Sequence, residues 1–253
     1  MDEKLKQILI EAAERHENKS FIADDPIQFP HRYTERNDIE ISSFISAWMA
    51  YGSRKVFLNV LRNIHSAMDT SGGPSDYIKS QAWLDISSES QGKPDCCLYR
   101  FYKWKDYSEL CVRLHRLYSE YATMESILDT GYSPQVNVRK LCSYFTGIKG
   151  IPIPDSMSAN KRIHMFLRWM VRKGSPVDFG LWNRMKPAQL VIPLDTHVFQ
   201  TASCLGLTSR NSADIKTALQ ITDSIRVIWP EDPVKGDFAL YGLGLDGFTP
   251  YSK

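Results

Sequence analysis

Lys161-Arg162-Ile163-His164-Met165-Phe166-Leu167-Arg168-Trp169-Met170-Val171-Arg172 sorts its side chains by a helical rule. Ile163, Phe166, Leu167, Met170 and Val171 recur at the spacing of one helix face, which should turn inward. On another face Lys161, His164, Arg168 and Arg172 stand at i, i+3, i+7 and i+11. Such a row is either a solvated basic face or a surface for phosphates. Gly147 to Ser158, with Gly147, Gly150, Pro152 and Pro154, reads as the turn-rich entry, and Gly174-Ser175-Pro176 as the stop.

Working outward, the same period dominates. Ile41, Phe44, Ile45, Trp48 and Met49 form one stripe, and Tyr51-Gly52-Ser53 breaks it. Ser53 can N-cap a second helix that carries Val56, Phe57, Val60, Leu61, Ile64 and Met68. Residues 69–76 and Ser87 to Asp95 read as loops. A long helix is expected from about Ser108 to Leu128, with Leu110, Leu114, Leu117, Tyr121, Met124 and Leu128 inward. Leu190 to Leu194 makes a short apolar approach to a helix over Thr196 to Leu205, capped by Asp195 and closed by Gly206. Further helices follow at 213–229 and Val234 to Leu243, separated by Pro230-Glu231-Asp232-Pro233. No repeat and no convincing strand pair interrupts this, so the fold class is all-α. Residues 1–45 with 190–253 are expected as one helical lobe, carrying Asp195, and 46–189 as another, carrying Lys161.

The bulk composition sets outer limits. At 253 residues the chain can form one large domain or two lobes around a cleft. Its 43% apolar and 24% charged residues are those of a soluble globular protein. No stretch reaches the ~20 apolar residues of a membrane span. The charged start Met1-Asp2-Glu3-Lys4 lacks a signal-peptide core, so a cytoplasmic monomer is expected, nucleoid-associated when bound to DNA. A net charge of +2 means that any nucleic-acid site must come from local clustering. Cys96, Cys97, Cys111, Cys142 and Cys204 have no four-ligand spacing, and their odd number argues for free thiols. Neither a metal nor another cofactor is expected.

Two residues stand out chemically. Lys161 opens its helix, where the macrodipole and the adjacent Arg162 disfavour a protonated amine, and a lysine that loses its proton is a nucleophile. Asp195, in Pro193-Leu194-Asp195-Thr196-His197-Val198, is placed at an N-cap, where backbone amides fix a carboxylate and the helix start suits a phosphate. Each alone is equally a plain helix start.

Asp195-Thr196-His197-Val198-Phe199 after an apolar approach, with a lysine-bearing helix before it, resembles the helix-hairpin-helix base-excision DNA glycosylases, the superfamily of endonuclease III and 8-oxoguanine DNA glycosylase. More closely, the strings 161–172 and 192–198 resemble an uncharacterised bacterial family, a domain of unknown function, from about residue 20 onward. That family looks like a distant branch of the glycosylases. The resemblance implies two helical lobes around a DNA-binding cleft, with Lys161 as nucleophile and Asp195 as essential carboxylate. The implied activity is that of a glycosylase and AP lyase acting on double-stranded DNA with a damaged base, an oxidised purine first, flipped out of the helix. Two departures are plain. The superfamily's glycine-rich hairpin reads here Ser156-Met157-Ser158-Ala159-Asn160, and Lys173 to Leu190 looks like an insertion.

By the same resemblance Asp237, Phe238, Tyr241 and His197 are candidates for holding the base. Asp237 and Tyr241 lie four apart and so on one helix side. Asn160, Arg162, His164, Arg168 and Thr196 are candidates for DNA contacts. Tyr51, Ser53 and Arg54 stand at a turn where the superfamily inserts side chains into the gap left by the base. Two other functions are compatible with the same residues: a non-catalytic DNA-binding protein on the glycosylase fold, and a small-molecule enzyme on a helical scaffold.

Overall fold

The computed structural model describes residues 1–85, 94–131 and 134–247, and these are mostly helical. In chain order the helices are α1 (Glu3–His16), α2 (Arg36–Met49), α3 (Arg54–Thr70), α4 (Pro74–Lys79), α5 (Trp104–Glu120), α6 (Pro134–Tyr144), α7 (Lys161–Val171), α8 (Thr196–Cys204), α9 (Ile215–Arg226) and α10 (Gly236–Leu245). None of them is long and apolar enough to cross a membrane.

Four local expectations are corrected. The loop at 69–76 ends early, because Pro74 is tolerated at the first position of a helix and starts α4. The long helix stops at Glu120: Tyr121 is extended and exposed, and a separate 3-10 turn over Met124–Ile127 buries Met124. A small antiparallel pair, β1 (Cys97–Tyr99) and β2 (Tyr102–Lys103), occurs where no strand pair was expected. Ser53 stands at the start of α3 but makes no side-chain cap. The expected loop from Ser87 to Asp95 lies outside the described residues except for Pro94 and Asp95.

The chain divides into two compact units. The first comprises Met1–Ala23, Thr130–Val138 and Asp155–Lys253; the second comprises Asp24–Asp129 and Arg139–Pro154. Lys161 and Asp195 therefore share the first unit, whereas the sequence division placed them in separate lobes. The reason lies in α7, whose Arg168 and Arg172 are ion-paired to Glu17, Asp178, Asp232 and Asp237, all in that unit.

The core of the first unit gathers Leu9 and Ala13 of α1, Val191, Ile192 and Leu194 of the apolar approach, Val198 and Ala202 of α8, Ile221 and Ile225 of α9, and Leu240 of α10. Burying each of these Val, Leu and Ile side chains contributes about 1.5–3 kcal/mol. Gly242 lets α10 approach α1, since a Cβ there would stand 2.0 Å from the His16 ring. In the second unit α2 is buried on nearly every side. Its Glu40 is tolerated because it accepts hydrogen bonds from Arg36 Nε (3.1 Å), Tyr118 Oη (3.0 Å) and the Met124 amide (2.7 Å).

Candidate functional site

Two helix starts meet in the first unit. Asp195 is the N-cap of α8, extended at φ −114°, and its Oδ1 accepts from the Val198 amide at 3.0 Å. That bond fixes one carboxylate oxygen, and the other, Oδ2, lies 3.9 Å from Lys161 Nζ. Lys161 is the first residue of α7. Both side chains keep about a third of their surface open, 30% for Lys161 and 34% for Asp195. The arrangement offers a solvent-reachable amine, a carboxylate with one oxygen held by backbone, and two helix N-termini that favour negative charge.

The turn into α7 replaces glycine by asparagine. Asn160 adopts the left-handed conformation at φ 49°, ψ 35°, which asparagine tolerates better than most residues. Its carbonyl accepts the first helical hydrogen bond, from His164 N at 3.0 Å, while its buried Oδ1 has no partner. The segment before it is tied to the start of α9 by the isolated Ser158–Asp214 bridge and by the Ile215 amide donating to the Met157 carbonyl.

The basic row of α7 does not form a surface. His164, Arg168 and Arg172 are buried, at 3%, 3% and 2% exposure. Burial lowers the His164 pKa to about 4, so the ring is neutral at pH 7. Arg168 binds Asp178 (3.2 Å) and Asp237; Arg172 binds Asp178 (2.7 Å), Asp232 (2.8 Å) and Glu17 (2.6 Å). Burial works against the charge of Arg172, but Asp178, Asp232 and Glu17 outweigh it and raise its pKa. As candidates for DNA contact, His164 and Arg168 are thus withdrawn from solvent by their carboxylate partners and by packing.

The apparent insertion is part of this network. Residues 173–190 supply Asp178, and the amides of Phe179 and Trp182 donate to the Trp169 and Met170 carbonyls, each at 2.8 Å. Those carbonyls lie in the last turn of α7, where no intrahelical donor remains.

On α10, Asp237 is 8% exposed and pairs with Arg168. Burial pushes its carboxyl up to about 6, and the charge on Asp195 adds to the rise, while Arg168 and Lys161 oppose it. Phe238 is in the core, with the Arg168 and Arg172 guanidinium carbons 4.4 and 5.3 Å from its ring centre. It is therefore packed under the arginines rather than presented to a base. Tyr241 is half-buried and meets Phe21 edge-on at 5.7 Å. Thr196 and His197 are exposed beside Asp195, and Arg162 is half-buried beside Lys161.

Tyr51, Ser53 and Arg54 are all exposed in the second unit. That unit also holds a cavity of about 410 Å3 lined by residues that include Asn37, Ile41, Ser75, His115 and Tyr118. It contains neither Lys161 nor Asp195. Among the described residues no group of three or more His, Cys, Asp or Glu could hold a metal ion.

Sequence reasoning missed the carboxylates around α7. Glu17, Asp178 and Asp232 come from three distant segments, and the only signal available was that two arginines shared the helix with a strong apolar stripe.

No curated protein and no solved structure matches the chain. Residues 25–246, which include Lys161 and Asp195, match the family described as Protein of unknown function (DUF2400), and the chain belongs to that family.

Proposed function

We propose that the protein is a base-excision DNA glycosylase with AP lyase activity, in which Lys161 attacks the sugar and Asp195 serves as its carboxylate. One observation carries the reading: Lys161 Nζ and Asp195 Oδ2 stand 3.9 Å apart, each at a helix start and each reachable from solvent. A purely structural ion pair has no need of both helix starts or of this exposure. The fold proposed with it is the two-lobed glycosylase scaffold around a DNA-binding cleft.

In this mechanism Asp195 Oδ2 accepts a proton from the Lys161 ammonium and passes it to the departing base, and the carboxylate, ionised again, stabilises the positive charge that grows on the sugar. The lysine nitrogen bonds to C1′ as the C1′–base bond breaks, and the departing base takes the electron pair and gains a proton. Opening of the sugar leaves an iminium, and loss of a C2′ proton expels the 3′-phosphate. Half-exposed Tyr241, one helical turn from Asp237, is the proposed contact for the flipped base. Exposed Thr196 and His197, at the α8 N-terminus, suit a DNA phosphate. The substrate is double-stranded DNA, with an oxidised purine as first choice, and the enzyme acts as a cytoplasmic monomer.

Borohydride reduces the iminium to a stable amine, so it tests the whole sequence. Duplexes carrying 8-oxoguanine or an abasic site should give a covalent protein–DNA adduct that vanishes in Lys161→Ala and weakens in Asp195→Asn. An adduct that persists in Lys161→Ala, or none on either duplex, overturns the assignment. In the second case, retained affinity for the duplexes would leave the non-catalytic binding protein.

A further inference from the structure

The small β1–β2 hairpin has no part in the chemistry above, yet its tip is built with care. Arg100 and Phe101 form the turn, Arg100 in the left-handed region at φ 52°, and both side chains are exposed. Phe101 (39% exposed) meets Tyr51 (46% exposed) edge-on, with ring centres 5.1 Å apart. The Arg100 guanidinium carbon lies 5.3 Å from the Tyr51 ring centre, and Lys149 Nζ lies 5.7 Å from that of Phe101.

Beneath this surface the contacts are tight. Tyr99 Oη donates to the Tyr51 carbonyl at 2.6 Å, Tyr102 Oη to the Trp48 carbonyl at 3.2 Å, and Trp48 Nε1 to the Lys149 carbonyl at 2.7 Å. Gly52 and Gly150 permit the approach: a Cβ on the first would lie 2.0 Å from Arg100 Nη1, and on the second 2.0 Å from Tyr102 Oη. Three segments are thus bolted together by buried Trp48 and Tyr102, while two large rings are left facing water. Exposed aromatic clusters of this sort mark binding surfaces.

Charge identifies the partner. Arg100 and Lys149 bring positive charge to the rings. Asp95 is already engaged by Lys103 and Lys105, and Asp106 lies 3.6 Å from Lys149 Nζ, so Lys149 brings less unbalanced charge to the surface than Arg100 does. We infer that Tyr51, Arg100, Phe101 and Lys149 form a platform for single-stranded DNA, on which unpaired bases stack while the cations meet the phosphates. Bases buried in a duplex offer no free face to such rings, whereas any unpaired base does. The inference goes beyond the glycosylase reading and does not depend on Lys161.

The test uses the full chain and a dye-labelled 20-nucleotide oligothymidylate, followed by fluorescence anisotropy. Binding should weaken steeply with salt. Tyr51→Ala/Phe101→Ala should lower affinity by about tenfold or more, and Tyr51→Trp/Phe101→Trp should restore it. These residues are exposed, and an unchanged far-ultraviolet circular dichroism spectrum would verify that each variant is folded. The Lys161→Ala chain should bind as well as the original, which separates this outcome from that of borohydride trapping. Undetectable binding, affinity indifferent to the double alanine change, or equal competition by polyglutamate would overturn the inference, the last in favour of an acidic protein partner.

Discussion

Two regions of the molecule hold arginines against aromatic rings, and they use them in opposite ways. Along α7, Arg168 and Arg172 lie over Phe238 inside the first unit, enclosed by Glu17, Asp178, Asp232 and Asp237. At the hairpin of the second unit, Arg100 lies over Tyr51 on the outside. In the first case each cation has left water, and only a full set of carboxylates compensates the lost hydration. In the second the cation keeps its hydration, and its energetic worth to the fold is small. An arginine beside an aromatic ring therefore says little until its exposure is known.

The sharpest way to break this contrast is Arg172→Met, which leaves Glu17, Asp178 and Asp232 without their shared cation. Removing one partner of a buried ion cluster costs about 3–5 kcal/mol. Urea denaturation should show that loss, with Arg172→Lys recovering part of it. A loss below about 1 kcal/mol would mean that the cluster is solvated and the contrast unfounded.

The acid limb of stability is the next test. His164 and His65 are both buried, and burial lowers each pKa to about 4 from 6.5. Each contributes stability that is present above pH 6.5 and lost as pH falls toward 4, on the order of 3 kcal/mol apiece. Asp237 has the opposite sign. Its folded pKa of about 6 lies above the ordinary 3.8, so the folded state binds more protons between those values and gains stability as pH falls. Asp237→Asn removes that offset, and its stability should fall more steeply than the native chain's from pH 6.5 to 4. Parallel curves would show that Asp237 is not the buried acid described here.

Much of the first unit's site is legible because its signals are local. Apolar spacing marks α7, and the extended Asp195 at the start of α8 follows the ordinary chemistry of an N-cap. The left-handed Asn160 is also readable in principle, since asparagine is among the few residues at ease there. What could not be read is long-range. Arg168 and Arg172 resemble a surface stripe until Asp178 and Asp232 are brought to them by segments without periodicity. The hairpin is hidden for another reason: β1 and β2 are only three and two residues long, too short for alternation to register. Its aromatic residues, Tyr99 and Tyr102, are fixed by partners on other segments.

The turn into α7 offers a smaller effect. Asn160→Gly restores the residue type of the glycine-rich hairpin and removes the buried Oδ1 that has no partner, so stability should hold or rise. Asn160→Ala keeps a Cβ in the left-handed region and should cost about 1 kcal/mol. Thermal denaturation of the pair decides it. Equal destabilisation by glycine would point to a hydrogen-bonding role for the asparagine side chain.

The smallest expected change is the one that bears most on function. Lys161 stands at a helix N-terminus, where the macrodipole opposes a positive charge, and the Asp195 carboxylate lies 3.9 Å away on a part-open surface. Lys161→Met should therefore alter stability by no more than about 0.5 kcal/mol, in either direction, much like Arg100→Ala at the hairpin. Arg172 is thus expected to show a large stability loss on substitution and Lys161, on the same helix, almost none. If denaturation instead shows Lys161→Met losing several kcal/mol, the lysine belongs with the buried arginines, and a structural role accounts for its position. If stability is unchanged while borohydride trapping disappears, the energetic cost of placing a cation at that helix start is matched by chemistry rather than by folding.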